Sequence, residues 1–286
     1  MTIVQSRLEI QQQKELPTLS PDIQHILTSC NNPDISSAEL AKVLNESPTI
    51  AARLLGLANS SFFGQQGKIC TLLQAISILG MVTVKSVAIG LALSGVFRTD
   101  HCPHFSLERY WVSIIMTAMM SNALHVHVRK ELRPPSDGIY MAGLLHNLGL
   151  LALVHLYPEQ MGTALAAYGE NSGRKLGDHI HDHLDLDHYE AGVWLGSKWH
   201  LPENILLVMK YHYDRSYRGE HWPLVLLESI CAKWANQMLY GQEELDQETE
   251  VLLVLGTPPA SAEKVREEMR NKLDAIKEMA SSFSKG

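Results

Sequence analysis

The residues most able to do chemistry are imidazoles and carboxylates, and they are densest in Asp178-His179-Ile180-His181-Asp182-His183-Leu184-Asp185-Leu186-Asp187-His188. Every second or third side chain there could bind a metal, but density is not geometry. Alternating His and Asp in a solvated turn or helix start is the pattern of a polar surface, and the chemistry expected of it is adventitious zinc or nickel binding. Two further histidines, His146 and His212, lie in apolar surroundings, and with His188 they make three neutral imidazoles suited to one zinc, iron or nickel ion. Glu190 would add a carboxylate if it pointed inward. The plainer expectation is that the three rings are satisfied polar groups in a helical core, hydrogen-bonded to carbonyls or to one another.

Other reactive patterns are missing. No P-loop, GxSxG elbow, HExxH helix or dinucleotide-binding glycine pattern occurs, so the common nucleotide-binding and hydrolase chemistries have no carrier. Cys30, Cys70, Cys102 and Cys231 are far apart and form no CxxC pair, which suits isolated thiols. Leu40 to Leu57 resembles a helix-turn-helix, with Ala41, Leu44, Ser47, Thr49 and Arg53 at suggestive places. Ile50, Ala51, Ala52, Leu54 and Leu55 leave only Thr49 and Arg53 to read a groove, so a buried helical corner is the better account. A net charge of -7 over 286 residues also disfavours nucleic acid as a partner.

The elements that must position these groups are helical. With 45% hydrophobic and 19% charged residues the chain can bury a core of one large domain or two packed halves. Apolar residues recur at helical spacing almost throughout, and no clean alternation bounded by hairpin turns appears. Ser20-Pro21-Asp22 opens a first helix, Ser37 is expected to cap a second, and Ser47-Pro48 caps and starts a third. After Phe62-Phe63-Gly64 comes Leu72 to Phe97, interrupted at Gly80. Tyr110 to Val126 is a Met- and Ala-rich helix, Ile139 to Leu156 a strongly apolar one, and one more helix lies between Tyr157 and Asp187. Tyr189 to Trp199, Glu203 to Tyr211 and Leu224 to Tyr240 follow. Beyond the Gly256-Thr257-Pro258-Pro259 break, Ser261 is expected to cap a last helix with Val265, Met269, Leu273 and Ile276 on one stripe, a capping helix or one offered to a partner.

The apolar runs Ser86 to Phe97 and Met141 to Tyr157 are too short for a bilayer or broken by His146, Asn147 and His155. Gln11, Gln12, Gln13 and Lys14 stand where a secretory signal would need an apolar block. A cytoplasmic protein without a membrane partner is therefore expected.

Two groups of motifs resemble the HDOD family, a branch of the HD superfamily found in bacterial signalling proteins. The first comprises Leu16-Pro17-Thr18-Leu19, Ser47-Pro48-Thr49-Ile50-Ala51-Ala52-Arg53-Leu54-Leu55, Leu57-Ala58-Asn59-Ser60 and Ile76 to Gly80. The second comprises Tyr110-Trp111, Ala142-Gly143-Leu144-Leu145-His146-Asn147-Leu148-Gly149, His188-Tyr189-Glu190-Ala191-Gly192, Trp199-His200-Leu201-Pro202 and Tyr211-His212. The resemblance implies an all-α HDOD-type bundle, an N-terminal helical subdomain (16–98) packed on a degenerate HD-like one (104–240), between an N-terminal extension (1–15) and a C-terminal helical extension (241–286).

An active HD site needs imidazoles, a His-Asp pair and a further carboxylate to offset divalent ions that activate water. By this resemblance the pair reads His146-Asn147, a neutral amide in place of the anion. Ser113 stands where a ligating histidine would follow the tryptophan, Lys233 falls at the late carboxylate position, and Tyr213 replaces the second histidine of a His-His pair. Leu150 stands where a lysine often follows. The expectation is no catalysis, no resident metal and no cofactor. Ser113, His146, Asn147, His188, Glu190, His212 and Lys233 would line a vestigial ligand pocket, in a module that acts through contacts with other signalling proteins. The alternatives are a cryptic metal-dependent phosphohydrolase or phosphodiesterase acting on nucleotides or cyclic dinucleotides and, behind it, a DNA-binding regulator.

Overall fold

The protein is described from a computed structural model covering residues 19–32, 34–59, 67–136, 138–170, 173–240 and 248–284. The expectations resting on Leu16-Pro17-Thr18, Ser60, Phe62-Phe63-Gly64 and residues 1–15 lie outside these. Among the described residues there are fifteen helices and no strand, so the chain is all-α. The described residues fall into two compact units, one of residues 19–96 with 269–284 and one of residues 97–268.

The first unit holds α1 (Pro21–Asn31), α2 (Ser37–Asn45), α3 (Pro48–Ala58), α4 (Leu72–Leu79) and α5 (Met81–Ser94). Ser20 caps α1 by accepting from the Ile23 N–H, with Pro21 in the first turn. The cap of α2 is Ser36, not Ser37. Its Oγ accepts from the Glu39 N–H while the Glu39 carboxylate accepts from the Ser36 N–H, and that reciprocal box needs a Glu three residues on, a spacing only Ser36 has. Ser47 precedes Pro48 at the start of α3, but its hydroxyl makes no capping bond. Leu72 to Phe97 is divided as expected at Gly80, whose φ of 83° lies where L side chains are strained. Ile50, Leu54, Leu57 and Ala58 of α3 are buried, so the helix-turn-helix-like corner spends its apolar face on the core.

Asn59 ties this corner together. Its amide donates to the carbonyls of Leu55 and Ile69, and its Oδ1 accepts from the Ile69 N–H, at 2.9, 2.8 and 3.0 Å.

The second unit is built on α6 (Leu107–His125) packed along α13 (Trp222–Tyr240), with Trp111 and Trp234 buried. Around them lie α7 (Ile139–Leu145), α8 (Leu148–Leu156), α9 (Pro158–Glu170), α10 (Leu176–Leu184), α11 (His188–Lys198), α12 (Glu203–Tyr211) and α14 (Glu248–Leu255). Two sequence expectations are corrected. The single helix of Ile139 to Leu156 is two, broken at His146-Asn147, where Asn147 leaves the helical region at φ -110° and ψ 22°. Between Tyr157 and Asp187 there are also two helices, α9 and α10. The Ile139–Leu156 stretch has the length and composition of a membrane span, yet 83% of it is buried inside this unit, which is how a core segment reads.

The last helix, α15 (Pro259–Ser284), has residues up to Glu268 in the second unit and the rest in the first. Ser261 is inside its first turn rather than at its cap, because the helix starts at Pro259, a residue that tolerates the loss of an amide donor there. Val265, Met269 and Ile276 are buried as the stripe requires.

Candidate functional site

Three helix ends converge in the second unit. His146 caps the C-terminus of α7, His188 is the first residue of α11 behind the capping carboxylate of Asp187, and His212 follows α12. What brings α8 and α11 together is the absence of side chains. A Cβ on Gly149 would fall 1.9 Å from the His188 carbonyl oxygen and 2.4 Å from the Gly192 nitrogen, so two glycines from separate motifs meet backbone to backbone. The His146 and His212 rings are 4.9 Å apart and edge-on, and Tyr189 reaches His212 at 5.1 Å. Outside, Tyr213 stacks on Tyr189 at 4.1 Å with the Lys175 ammonium over its ring.

The hydrogen bonds fix the tautomers of two rings. His146 Nδ1 lies 2.6 Å from the Gly143 carbonyl and His212 Nδ1 lies 3.0 Å from the Val208 carbonyl. A carbonyl only accepts, so each Nδ1 carries the proton and each Nε2 a lone pair. Burial keeps the cluster uncharged. It pushes His146 down to about 4, against a weaker opposing pull from the Gly143 carbonyl. It pushes His188 to about 3, helped by His146, and His212 well below the ordinary value, helped by both neighbours. Two buried atoms here have no hydrogen-bond partner, His188 Nδ1 and Asn147 Oδ1. The Asn147 backbone carbonyl accepts from Leu150 N–H at 3.0 Å and from the Tyr110 hydroxyl at 3.4 Å.

Four of the expected site residues therefore sit together: His146, Asn147, His188 and His212. The other three lie on α6, on α13 and on the outer face of α11. Ser113 donates to the Asn236 side chain at 3.0 Å across α6 and α13. Lys233 is half-buried on α13. Glu190 is exposed, so the inward carboxylate that a metal reading required is not supplied; as the third residue of α11 it faces water while His188 faces the core.

A residue the sequence reading missed is Glu228, fully buried on α13. Ser121 Oγ lies 2.8 Å from the Thr117 carbonyl and 2.6 Å from Glu228 Oε2. The hydroxyl has one proton. If it goes to the carbonyl, which can only accept, then the shorter contact needs a proton on Glu228 itself, making it a neutral carboxylic acid that donates to Ser121. Burial raises its affinity for that proton in the same sense. The carboxyl also abuts Gly143, where a Cβ would come within 2.9 Å of Oε2 and 2.6 Å of the Ala118 Cα. A lone Glu inside Leu224-Val225-Leu226-Leu227-Glu228-Ser229-Ile230 was the available signal.

These residues do not fit the dinuclear centre of an active HD enzyme. Asn147 brings no charge, burial favours the neutral form of Glu228, which is engaged by Ser121, and among the described residues no three His, Cys, Asp or Glu side chains converge as ligands. The His/Asp-rich stretch is spent on structure: Asp182 pairs with Arg174 at 2.8 Å and His179 is buried against Tyr168.

Comparison with known proteins adds the following. The HDOD domain family model matches residues 16–215. An uncharacterized protein of Treponema pallidum (strain Nichols) is 22% identical over 82% of this chain, which spans 44% of that protein's length. A solved structure from Marinobacter aquaeolei VT8, named for signal transduction, superposes with a TM-score of 0.83 at 24% identity, over 99% of this chain and 66% of that one. An HDOD domain protein with unknown function from Geobacter sulfurreducens gives 0.76 at 18%, over 98% and 97% of the two chains. A protein from Shewanella amazonensis SB2B, named as a phosphohydrolase, gives 0.75 at 20%, over 97% of each. At these identities the structures carry the fold alone.

Proposed function

Because this chain belongs to the HDOD domain family, we propose that it is a non-catalytic regulatory module of signal transduction that works through contacts with other proteins, its imidazole cluster being available to a small ligand. The observation that carries this reading is the missing charge. Hydrolysis of a phosphate ester by an HD centre needs carboxylates to hold divalent ions, and here the pair is His146-Asn147 with no anionic group among the buried rings. Signalling would then rest on a shift between two packings, biased by a ligand or partner that prefers one of them.

One observation favours a second reading, a metal-dependent phosphohydrolase or phosphodiesterase on nucleotides or cyclic dinucleotides. A histidine that ligates a metal through Nε2 commonly donates its Nδ1–H to a backbone carbonyl, as His146 and His212 do. Elemental analysis of protein purified without chelator, combined with hydrolysis assays on nucleotides and cyclic dinucleotides with manganese, zinc or iron supplied, decides between the two. No turnover above buffer supports the regulatory module. Turnover that His146→Ala abolishes would establish the enzyme.

A further inference from the structure

The imidazole cluster is short of one kind of hydrogen-bonding group. His146 and His212 have each committed their ring proton to a backbone carbonyl, at 2.6 and 3.0 Å, so both Nε2 atoms are acceptors. Asn147 Oδ1 is a third acceptor, buried and unpaired, and His188 adds an unpaired buried ring nitrogen on a side chain only 5% exposed. Among the described residues neither Asn147 Oδ1 nor His188 Nδ1 has a hydrogen-bond partner. Buried polar atoms without partners are uncommon, because each forfeits its bond to water on folding.

The rings cannot correct the shortage themselves. Protonation would turn Nε2 into a donor, but it would place a cation in a buried site without a counter-ion, and burial opposes it in all three. A charged guest meets the same penalty. The wall beside the acceptors is aromatic: Tyr189 has its ring centroid 3.9 Å from that of His188 and 5.1 Å from that of His212, with Tyr213 stacked behind it. Tyr189 is thus sandwiched between His188 and Tyr213, so the surroundings of the acceptors are apolar and aromatic.

We propose that the His146–Asn147–His188–His212 cluster is a binding site for an uncharged small molecule that presents at least two N–H donors. This rests on the reading of the chain as a module whose site does not hydrolyse, and it names the class of ligand that site would sense. Phosphate esters are the wrong chemistry for it, being anionic and rich in acceptors themselves. An uncharged amide or amino-substituted ring supplies the missing donors.

The test uses two matched probes on the full chain labelled with ¹⁵N-histidine: benzamide, which is flat, uncharged and carries two N–H donors, and N,N-dimethylbenzamide, which has the same ring and carbonyl but no donor. Benzamide is expected to move the Nε2 resonances of His146 and His212 saturably, with the dimethyl compound at least tenfold weaker. His212→Phe, which keeps a ring and removes an acceptor, is expected to weaken benzamide at least fivefold. His200→Gln, outside the cluster, controls for handling. Equal affinity for the two amides, or no movement with either, overturns the proposal, as does free protein whose two Nε2 atoms already carry protons. Stoichiometric zinc that displaces benzamide and moves the same nuclei more tightly would make the cluster a metal site and would also overturn it. The non-catalytic reading is decided separately, by the hydrolysis assay.

Discussion

Acidification should unfold this protein far more steeply than its surface composition suggests. Unfolded histidines titrate near 6.5, whereas in the folded chain His146 is held to about 4, His188 to about 3 and His212 well below its ordinary value. Between these limits the unfolded chain binds protons that the folded chain refuses. The stabilisation is therefore complete above pH 6.5 and is lost as pH falls toward the folded values, at up to about 1.4 kcal/mol per pH unit for each ring. Glu228 acts in the opposite sense: its folded value is raised, so its contribution is greatest at low pH and fades as pH rises above about 4.5. His125, lowered, and Asp187, raised, are partly buried and offset one another in direction.

Three imidazoles less one carboxyl leave a net uptake of about two protons on unfolding, or about 2.7 kcal/mol per pH unit between pH 6 and 5, against a total stability of about 5–15 kcal/mol. Urea unfolding followed by circular dichroism at pH 6.5, 6.0, 5.5 and 5.0 measures the slope directly. Two variants should move it in opposite directions. His212→Phe removes one imidazole and should flatten it to about one proton, while Glu228→Gln removes the opposing carboxyl and should steepen it to about three. A stability that is flat or rises as pH falls from 6.5 to 5 refutes the reasoning.

Glu228→Gln should otherwise fold normally, within about 1 kcal/mol of the parent at pH 5, since its amide can still donate to Ser121; a collapse of solubility would show that an ionised carboxylate was needed. Gly149→Ala, whose Cβ would meet the His188 carbonyl at 1.9 Å, should cost about 3 kcal/mol or more because backbone cannot yield as a side chain can, read as a lowered Tm. Asn59→Ala loses three bonds to Leu55 and Ile69 and should cost about 2–4 kcal/mol, again as a fall in Tm. Duplex DNA should show no retardation at low salt, and a shift abolished by Arg53→Ala would reverse that expectation.

Much of this was legible before any coordinates, for identifiable reasons. Prolines at first helical positions and apolar residues at helical spacing are local signals, so α1, α3 and α12 could be placed closely. The break at His146-Asn147 was not visible, because Leu144, Leu145, Leu148 and Leu151 continue an apolar run through it, and only the backbone of Asn147 departs. Ser37 looked like a cap because any serine before an apolar run does; Ser36 won through its reciprocal bond with Glu39. At the site, the motifs supplied His146, His188 and His212 together, since each stands in a recognisable element. Glu228 stayed hidden because its partner, Ser121, lies 107 residues away. Glu190 was misplaced because a two-residue offset on a helix changes which side faces water.

The contact between Gly149 and Gly192 limits how this cluster can respond to anything. Where Gly149 meets Gly192 no side chain separates α8 from α11, so at that crossing, just after Asn147 on one helix and His188 on the other, main chain rests on main chain. Room for a larger guest can come only from separating whole helices, which would break many packed contacts at once. Such a site yields in a single concerted step or stays shut, and graded loosening is denied to it.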